Sequence, residues 1–353
     1  MRDMLEALVS AESPSNDPAL CAKAARVLFD IIGGAADETV SSGGHEHYVW
    51  RWGGEPRVLL IGHLDTVWPA GTINRWPFTV DGERATGPGC FDMKAGLVIA
   101  GEALRALGST EGVTLLVNTD EELGSGTSQS LIEAEAAGAT ATLVLEPGHD
   151  DAMKVARKGV AMYVLRMRGR AAHAGLEPEN GVNAIIEAAH QVRAIAALGD
   201  QSRGTTVTPT VLAAGSARNV VPALAVVEVD ARFTDMAEAG RVDTAMRDLT
   251  ASLPGAAIEV TGGVNRPPLE RRMSERLYAL AREIGPSVGW VPGAAEVGGG
   301  SDGNYTAAMG IETIDGLGGR GGNAHAEGEW IDLSSLPARA RMLAALIERI
   351  RSA

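Results

Sequence analysis

The sequence predicts an α/β chain, a parallel sheet covered by helices and interrupted by a smaller ferredoxin-like α+β unit. Short Val/Leu-rich runs at 58–61, 113–119 and 142–145 alternate with helical stretches and are bounded by Gly, Pro or charge, as buried parallel strands are. The middle of the chain reads β-α-β-β-α-β, the split unit, over roughly 110 residues, enough for a domain of its own. After Pro267-Pro268 the α/β pattern resumes. The simplest topology is therefore one domain made of 1–157 and 269–353, with a second domain, 158–268, inserted into it.

Met4, Leu5, Leu8 and Val9 form one helical face, stopped by Ser13-Pro14-Ser15-Asn16-Asp17. A second helix runs to about residue 32 and ends at Gly33-Gly34. Strands at 48–52 and 58–61 are joined through Gly53-Gly54, and 93–107 reads as a helix with Asp92 at its N-cap position. Strand 113–119, helix 127–137 and strand 142–145 complete the first half. The inserted unit comprises strand 160–167, helix 180–198, strands 205–214 and 226–233, helix 237–253 and strand 257–261. Helix 272–284, strand 311–314 and a terminal helix from 334 follow. There are no repeats and no low-complexity segments.

Composition narrows the function. With 31 Lys and Arg against 45 Asp and Glu, the net charge of −14 argues against nucleic acid and anionic membrane as partners. At 4% aromatic content, a stacking platform for bases is not expected. Cys21 and Cys90 fit neither a zinc ribbon nor a disulfide framework, and their scarcity suits a reducing compartment. Acids within the first six residues exclude a signal peptide there, and no apolar run of about 18 residues exists for a membrane span. A cytoplasmic protein is expected.

The chemistry sits where the strands end. Val58–Ile61 runs into Gly62-His63-Leu64-Asp65, Val113–Thr119 into Asp120-Glu121-Glu122, and Thr142–Leu145 into Glu146-Pro147. Binding groups in parallel sheets gather outside the carboxyl ends of strands, so one imidazole and several carboxylates would share a rim. Crowded carboxylates repel unless cations hold them, and a mixed His/Asp/Glu set is a ligand set for divalent metal. His63 reads as a ligand whose second ring nitrogen is held by Asp65, or equally as a rim histidine beside a surface acid. Asp92 reads as a bridging carboxylate or as a plain N-cap; Lys94 beside it reads as an ordinary surface lysine. Adjacent Glu121 and Glu122 point different ways, so one can bind metal while the other takes a proton from metal-acidified water; a solvated acidic turn is the plain alternative. His173, among small neighbours, can reach a ligand or cap a loop. His325 follows a run of glycines, consistent with a last ligand carried on a flexible loop. Gly298–Gly303 lacks the lysine and context of a nucleotide loop and reads as backbone amides available to an anion. His45, His47, His149 and His190 read as surface histidines.

In combination these motifs are far more specific than singly. Gly62-His63-Leu64-Asp65-Thr66-Val67, Gly87-Pro88-Gly89 with Asp92-Met93-Lys94-Ala95-Gly96, Asn118-Thr119-Asp120-Glu121-Glu122, Glu146-Pro147, Ala172-His173-Ala174-Gly175 and the late His325 resemble the metallopeptidase M20 family, nearest its glutamate carboxypeptidase branch. The likeness runs from about residue 58 to the terminal helix.

It implies a catalytic domain with a mixed, mainly parallel sheet and an inserted lid and dimerisation domain. It also implies two zinc ions per subunit, or cobalt or manganese in their place: one held by His63, Asp92 and Glu146, the other by Asp92, Glu122 and His325. Glu121 would be the general base, Asp65 would orient His63, and the Asp92–Met93 peptide would be cis. His173 would cross a dimer interface to the partner's oxyanion, near Asn219. Arg232 and Arg266 would receive a substrate carboxylate, with backbone contacts from Gly300 and Ser301. Glu146, where the family's aminopeptidases tend to use Asp, favours the carboxypeptidase and deacylase branches. The expected activity is release of a C-terminal amino acid such as glutamate from peptides or N-acyl amino acids. The alternative is an N-acetyl or N-succinyl amino acid deacylase, which shares the ligand set.

Overall fold

In the computed structural model, which describes residues 1–54 and 58–352, the chain forms two compact units. The first comprises Met1–Ala156, Leu269–Val297 and Ser301–Ala353, the second Arg157–Pro268 and Gly298–Gly300.

The first unit is built on a six-stranded mixed sheet. Its strand order is Glu38–Ser42, His45–Arg51, Val113–Asn118, Val58–His63, Ala141–Val144 and Glu312–Ile314. The last four strands run parallel, and the first two are antiparallel, closing one edge. Every residue of Val58–His63, Val113–Asn118 and Ala141–Val144 is buried, which is why these segments read as unbroken apolar runs. In this register His63 lies beside Asn118 and Ile61 beside Val144. His63, the turn after Asn118 and Glu146 therefore leave the sheet at the same edge.

The helix Pro18–Ile32 is capped by Asp17, which accepts from the Leu20 N–H at 3.1 Å. The buried helix Ala95–Ala106 packs in one core with the terminal helix Leu336–Arg351. Gly96 has no room for a side chain, since a Cβ would lie 2.0 Å from the Leu145 carbonyl oxygen. Glycine thus lets the start of this helix rest directly on the strand end that delivers Glu146.

That helix begins later than its sequence suggests. Lys94, not Asp92, holds the N-cap position, and Cys90–Lys94 forms a wide turn in which Asp92 and Met93 have non-helical dihedrals. The Asp92–Met93 peptide is cis. The Asp92 carboxylate is consequently not spent on capping.

A small sheet that the sequence did not signal joins Gly321–Gly322, Trp330–Asp332, Arg84–Thr86 and Thr79–Asp81. It fixes the loop carrying His325 to the strand that leads into Gly87-Pro88-Gly89 and Asp92.

The second unit has a four-stranded antiparallel sheet in the order Thr206–Ala214, Leu224–Phe233, Gly159–Arg168 and Ala257–Arg266. With helices Ala184–Ala196 and Met236–Arg247 it is the ferredoxin-like arrangement. Alternate residues such as Tyr163, Leu165, Val227, Val229 and Phe233 make its core with Val242 and Met246 from a helix. Among the described residues no helix is long and apolar enough to cross a membrane.

Candidate metal centre

The parallel strands supply the first half of the site. His63 Nδ1 donates to the Asp65 carbonyl oxygen at 2.9 Å, with the Asp65 carboxylate farther off at 3.5 Å. The ring's other nitrogen, Nε2, lies 3.4 Å from Asp92 Oδ1 and 3.5 Å from Glu146 Oε1, buried and without a hydrogen-bond partner. Asp65 is itself fully buried. Its carboxylate accepts from Ser15 Oγ at 2.8 Å and from the N–H groups of Glu121 and Glu122 at 3.3 and 3.2 Å. One acid therefore braces the turn that follows the neighbouring strand.

Asp92 joins this half to a second. Its Oδ2 lies 3.3 Å from His325 Nε2, which in turn lies 3.1 Å from Glu122 Oε2. The other Glu122 oxygen is buried and has no hydrogen-bond partner. The Asp92 carboxylate thus turns one oxygen to each imidazole, and each imidazole has a further acid beside it. Two donors each about 2.0–2.1 Å from a tetrahedral ion lie roughly 3.3 Å apart, the spacing found here. Together with the orphaned His63 and Glu122 atoms, this donor set fits divalent metal. Glu121 is also buried, and its carboxylate lies within 4.8 Å of donor atoms of His63 and Glu146. On the far side of Glu146, Lys154 Nζ stands 3.7 Å from Oε2.

The electrostatics call for positive charge. Burial alone would push the His63 pKa down, but the carboxylates of Asp65, Asp92 and Glu146 around the ring outweigh it and hold it well above its ordinary value. Hydrogen bonds to Asp92 and Glu122 push the His325 pKa up to about 10. Burial opposes ionisation of Asp92, yet the two imidazoles beside it hold its pKa far below the ordinary range. Glu122 is pushed up, chiefly by burial. Without a cation, protons on the imidazoles balance the acids; a metal ion would replace them.

A model of the peptidase family M20/M25/M40 matches residues 59–349. The chain belongs to this family. It is 33% identical over 313 residues to carboxypeptidase G2 of Pseudomonas sp. (strain RS-16), covering 83% of this chain and 74% of that protein. To a succinyl-diaminopimelate desuccinylase of Thioalkalivibrio sulfidiphilus (strain HL-EbGR7) it is 29% identical over 326 residues, 85% of each chain. The crystal structure of a tripeptidase from Staphylococcus aureus subsp. aureus mu50 shares the fold, with a TM-score of 0.78 at 22% identity over 100% of this chain and 98% of that one.

Other residues of this M20 hydrolase are placed as follows. His173 is exposed, and its Nδ1 accepts from the N–H groups of Gly175 and Leu176 at 3.2 and 3.1 Å. With Nδ1 accepting, Nε2 is the ring nitrogen left as a donor. Asn219 lies beside it, its carbonyl accepting from the Ala174 N–H at 2.9 Å. Arg266 is buried in the second unit, packed against Gly300, whose absent Cβ would sit 3.3 Å from Arg266 Cδ. Arg157, also buried, donates to the Gly299 and Gly300 carbonyls and pins this stretch.

The Arg232 guanidinium is held bidentately by Asp230 at 2.7 and 2.8 Å, a part-exposed pair that a substrate carboxylate would have to open. Ser301 gives its N–H to Asn304 Oδ1 at 3.0 Å and its hydroxyl to Asp315 at 2.6 Å. The Gly303 N–H is likewise engaged, by Ser301 Oγ at 3.3 Å, so the amides of the glycine-rich stretch are partly spent within it. Lys94 is not on the surface but buried, donating to the Ala11 carbonyl at 2.9 Å. His45 and His47 are buried as well, bound to Thr119 and Thr127. His149 and His190 are exposed.

Glu329 escaped sequence reasoning. Fully buried, it accepts from the N–H groups of Gly89, Phe91 and Asp92 at 2.8–3.0 Å and from the Trp68 indole at 2.9 Å. It anchors the turn that presents Asp92. Nothing in Glu327-Gly328-Glu329-Trp330 signals this, beyond an acid directly preceding a strand.

Proposed function

We propose that this M20 hydrolase is a dinuclear zinc amidohydrolase of the carboxypeptidase type. It would release a C-terminal residue such as glutamate from peptides or N-acyl amino acids. The observation that carries this reading is the Asp92 carboxylate, one oxygen turned to His63 and the other to His325. His63, Asp92 and Glu146 would hold one ion, and Asp92, Glu122 and His325 the other; cobalt or manganese would suit the same donors. Divalent metal in such a site polarises an amide carbonyl and acidifies water.

The chain's own groups do the rest. Glu121 takes the proton from the attacking water and returns it to the leaving nitrogen. Asp65 steadies His63 through its carbonyl and the acidic turn through its carboxylate. His173, with Nε2 as its donor, is suited to the developing oxyanion of a partner subunit's substrate, with Asn219 beside it. Association of two copies is supported by the edge strand Thr206–Ala214, whose Val211 and Leu212 are exposed, as are Ile185 and Ile186. Arg266, with Gly300 packed on it, is the better candidate for a substrate carboxylate than Arg232.

Likeness to carboxypeptidase G2 favours the carboxypeptidase reading, while likeness to succinyl-diaminopimelate desuccinylases favours the deacylase alternative. The test compares zinc-loaded protein on an N-acyl-glutamate and on the same compound with its α-carboxylate amidated. The free acid should be cleaved with a far lower KM. Equal KM values would reject recognition of a C-terminal carboxylate.

A further inference from the structure

Asp65 serves two neighbours with one fully buried carboxylate, so the rotation of that group matters to both. Oδ1 lies 3.5 Å from His63 Nδ1 and accepts from the Glu121 N–H at 3.3 Å. Oδ2 accepts from the Glu122 N–H at 3.2 Å and from Ser15 Oγ at 2.8 Å. The terminal torsion of an aspartate is soft, so its own rotamer does not fix the plane of the carboxylate. Both backbone N–H contacts stand at or beyond the long end of the usual hydrogen-bond range. Of the four contacts, the Ser15 hydroxyl makes the short one.

Ser15 is itself buried and held at both sides. Its N–H donates to the Thr66 carbonyl at 3.1 Å, and the Thr66 N–H donates back to the Ser13 carbonyl at 2.8 Å. Ser13 Oγ adds a bond to the Leu64 carbonyl at 2.7 Å, so residues 13–15 lie along 64–66 as a short parallel bridge. Ser15 Oγ also stands 3.1 Å from the Thr66 carbonyl. A hydroxyl has a single proton, however, and the nearer, charged Asp65 is the better acceptor. None of the backbone bonds of this bridge needs the Ser15 oxygen. Alanine would leave them in place and remove only the donor.

We infer that Ser15 is a positioning residue, whose hydroxyl sets the rotation of the Asp65 carboxylate and through it the turn that carries Glu121 and Glu122. It acts through Asp65 alone. The inference rests on the amidohydrolase reading above, in which Glu121 is the base, and adds a contact from a segment about 50 residues earlier in the chain.

The test compares Ser15→Ala and Ser15→Thr on N-acetyl-glutamate, with zinc content measured alongside. Hydrogen exchange over the Glu121 and Glu122 amides, followed by mass spectrometry on zinc-loaded and metal-free protein, reads the turn without turnover. Ser15→Ala should lower kcat by roughly 10- to 100-fold, with KM within about twofold and zinc content unchanged. Exchange at the two amides should quicken by about fivefold or more in both forms of the protein. Ser15→Thr keeps the hydroxyl and should recover most of kcat and of the slow exchange. Wild-type kcat and exchange in Ser15→Ala, a loss confined to KM, a loss that tracks departing zinc, or threonine no better than alanine would each overturn the role. If the wild type cleaves no N-acyl amino acid or peptide, the amidohydrolase reading fails, and exchange at the turn still decides whether Ser15 positions it.

Discussion

His63 and His325 face the same carboxylate from opposite kinds of structure. His63 closes a fully buried parallel strand, and its ring is fixed through Nδ1. His325 is half exposed, on a loop where it and Asn323 both adopt left-handed backbone with φ of 61°. Non-glycine residues in that region cost free energy locally, so the loop is held by what surrounds it: the small sheet at its base and the acids that meet the imidazole. One half of the candidate metal site is therefore built with the core, and the other is assembled onto it. The two halves should differ in how firmly they keep an ion.

The largest effect expected tests which half Glu121 serves. Glu121→Gln should lower kcat by roughly 10³-fold or more while zinc content, measured by mass spectrometry, stays at two per subunit. Loss of an ion would make Glu121 a ligand on the His63 side. Next in size is Glu329→Ala, which strips three backbone N–H groups and an indole of their acceptor. At about 1–3 kcal/mol for each buried donor left unsatisfied, a loss of about 3 kcal/mol or more in chemical denaturation is expected, together with weaker zinc retention. Unchanged zinc affinity would mean that the Asp92 turn holds its shape unaided.

His63→Ala against His325→Ala addresses the asymmetry itself. The first opens a cavity among buried acids and should cost about 2–4 kcal/mol and deplete zinc below one equivalent. The second should remove a single equivalent with little change in melting temperature. Equal losses in both variants would break the comparison.

The smallest effect is a pH dependence. Because the pKa of His325 is raised to about 10 in the metal-free protein, its ring is protonated at neutral pH and must lose that proton when metal enters. Zinc affinity at this half should therefore rise about tenfold per pH unit between pH 7 and 9 and level off towards pH 10. In competition with a chelator, His325→Ala should lose this second equivalent and its rise, while the equivalent at the His63 half keeps a pH dependence of its own, since that ring is held protonated as well. A flat profile in the wild type would mean that the ring is already neutral.

Much of this architecture is legible in the residues, for definite physical reasons. Unbroken apolar runs mark strands covered on both faces, and the rule that such strands present ligands at their carboxyl ends locates His63, Glu122 and Glu146 in one place. The β-α-β-β-α-β order likewise yields the second sheet. What escaped depended on partners distant in sequence. Glu329 lies 237 residues from the Asp92 N–H it accepts, and no local pattern encodes that pairing. Asp92 looked like a cap because caps are recognised by position, whereas the carboxylate's direction depends on the turn before the helix. Two signals were available and went unused. Asp230 and Arg232 alternate onto one face of a strand, as do His45 and His47, so their engagement and burial follow from a period of two.

One Glu329 oxygen accepts from the N–H groups of Phe91 and Asp92, and the other from the Gly89 N–H and the Trp68 indole. Replacing Trp68 would take one of two donors from that second oxygen while the backbone kept the other. Tryptophan exchange at this position is therefore a milder way to loosen the strut under Asp92 than removal of the acid itself.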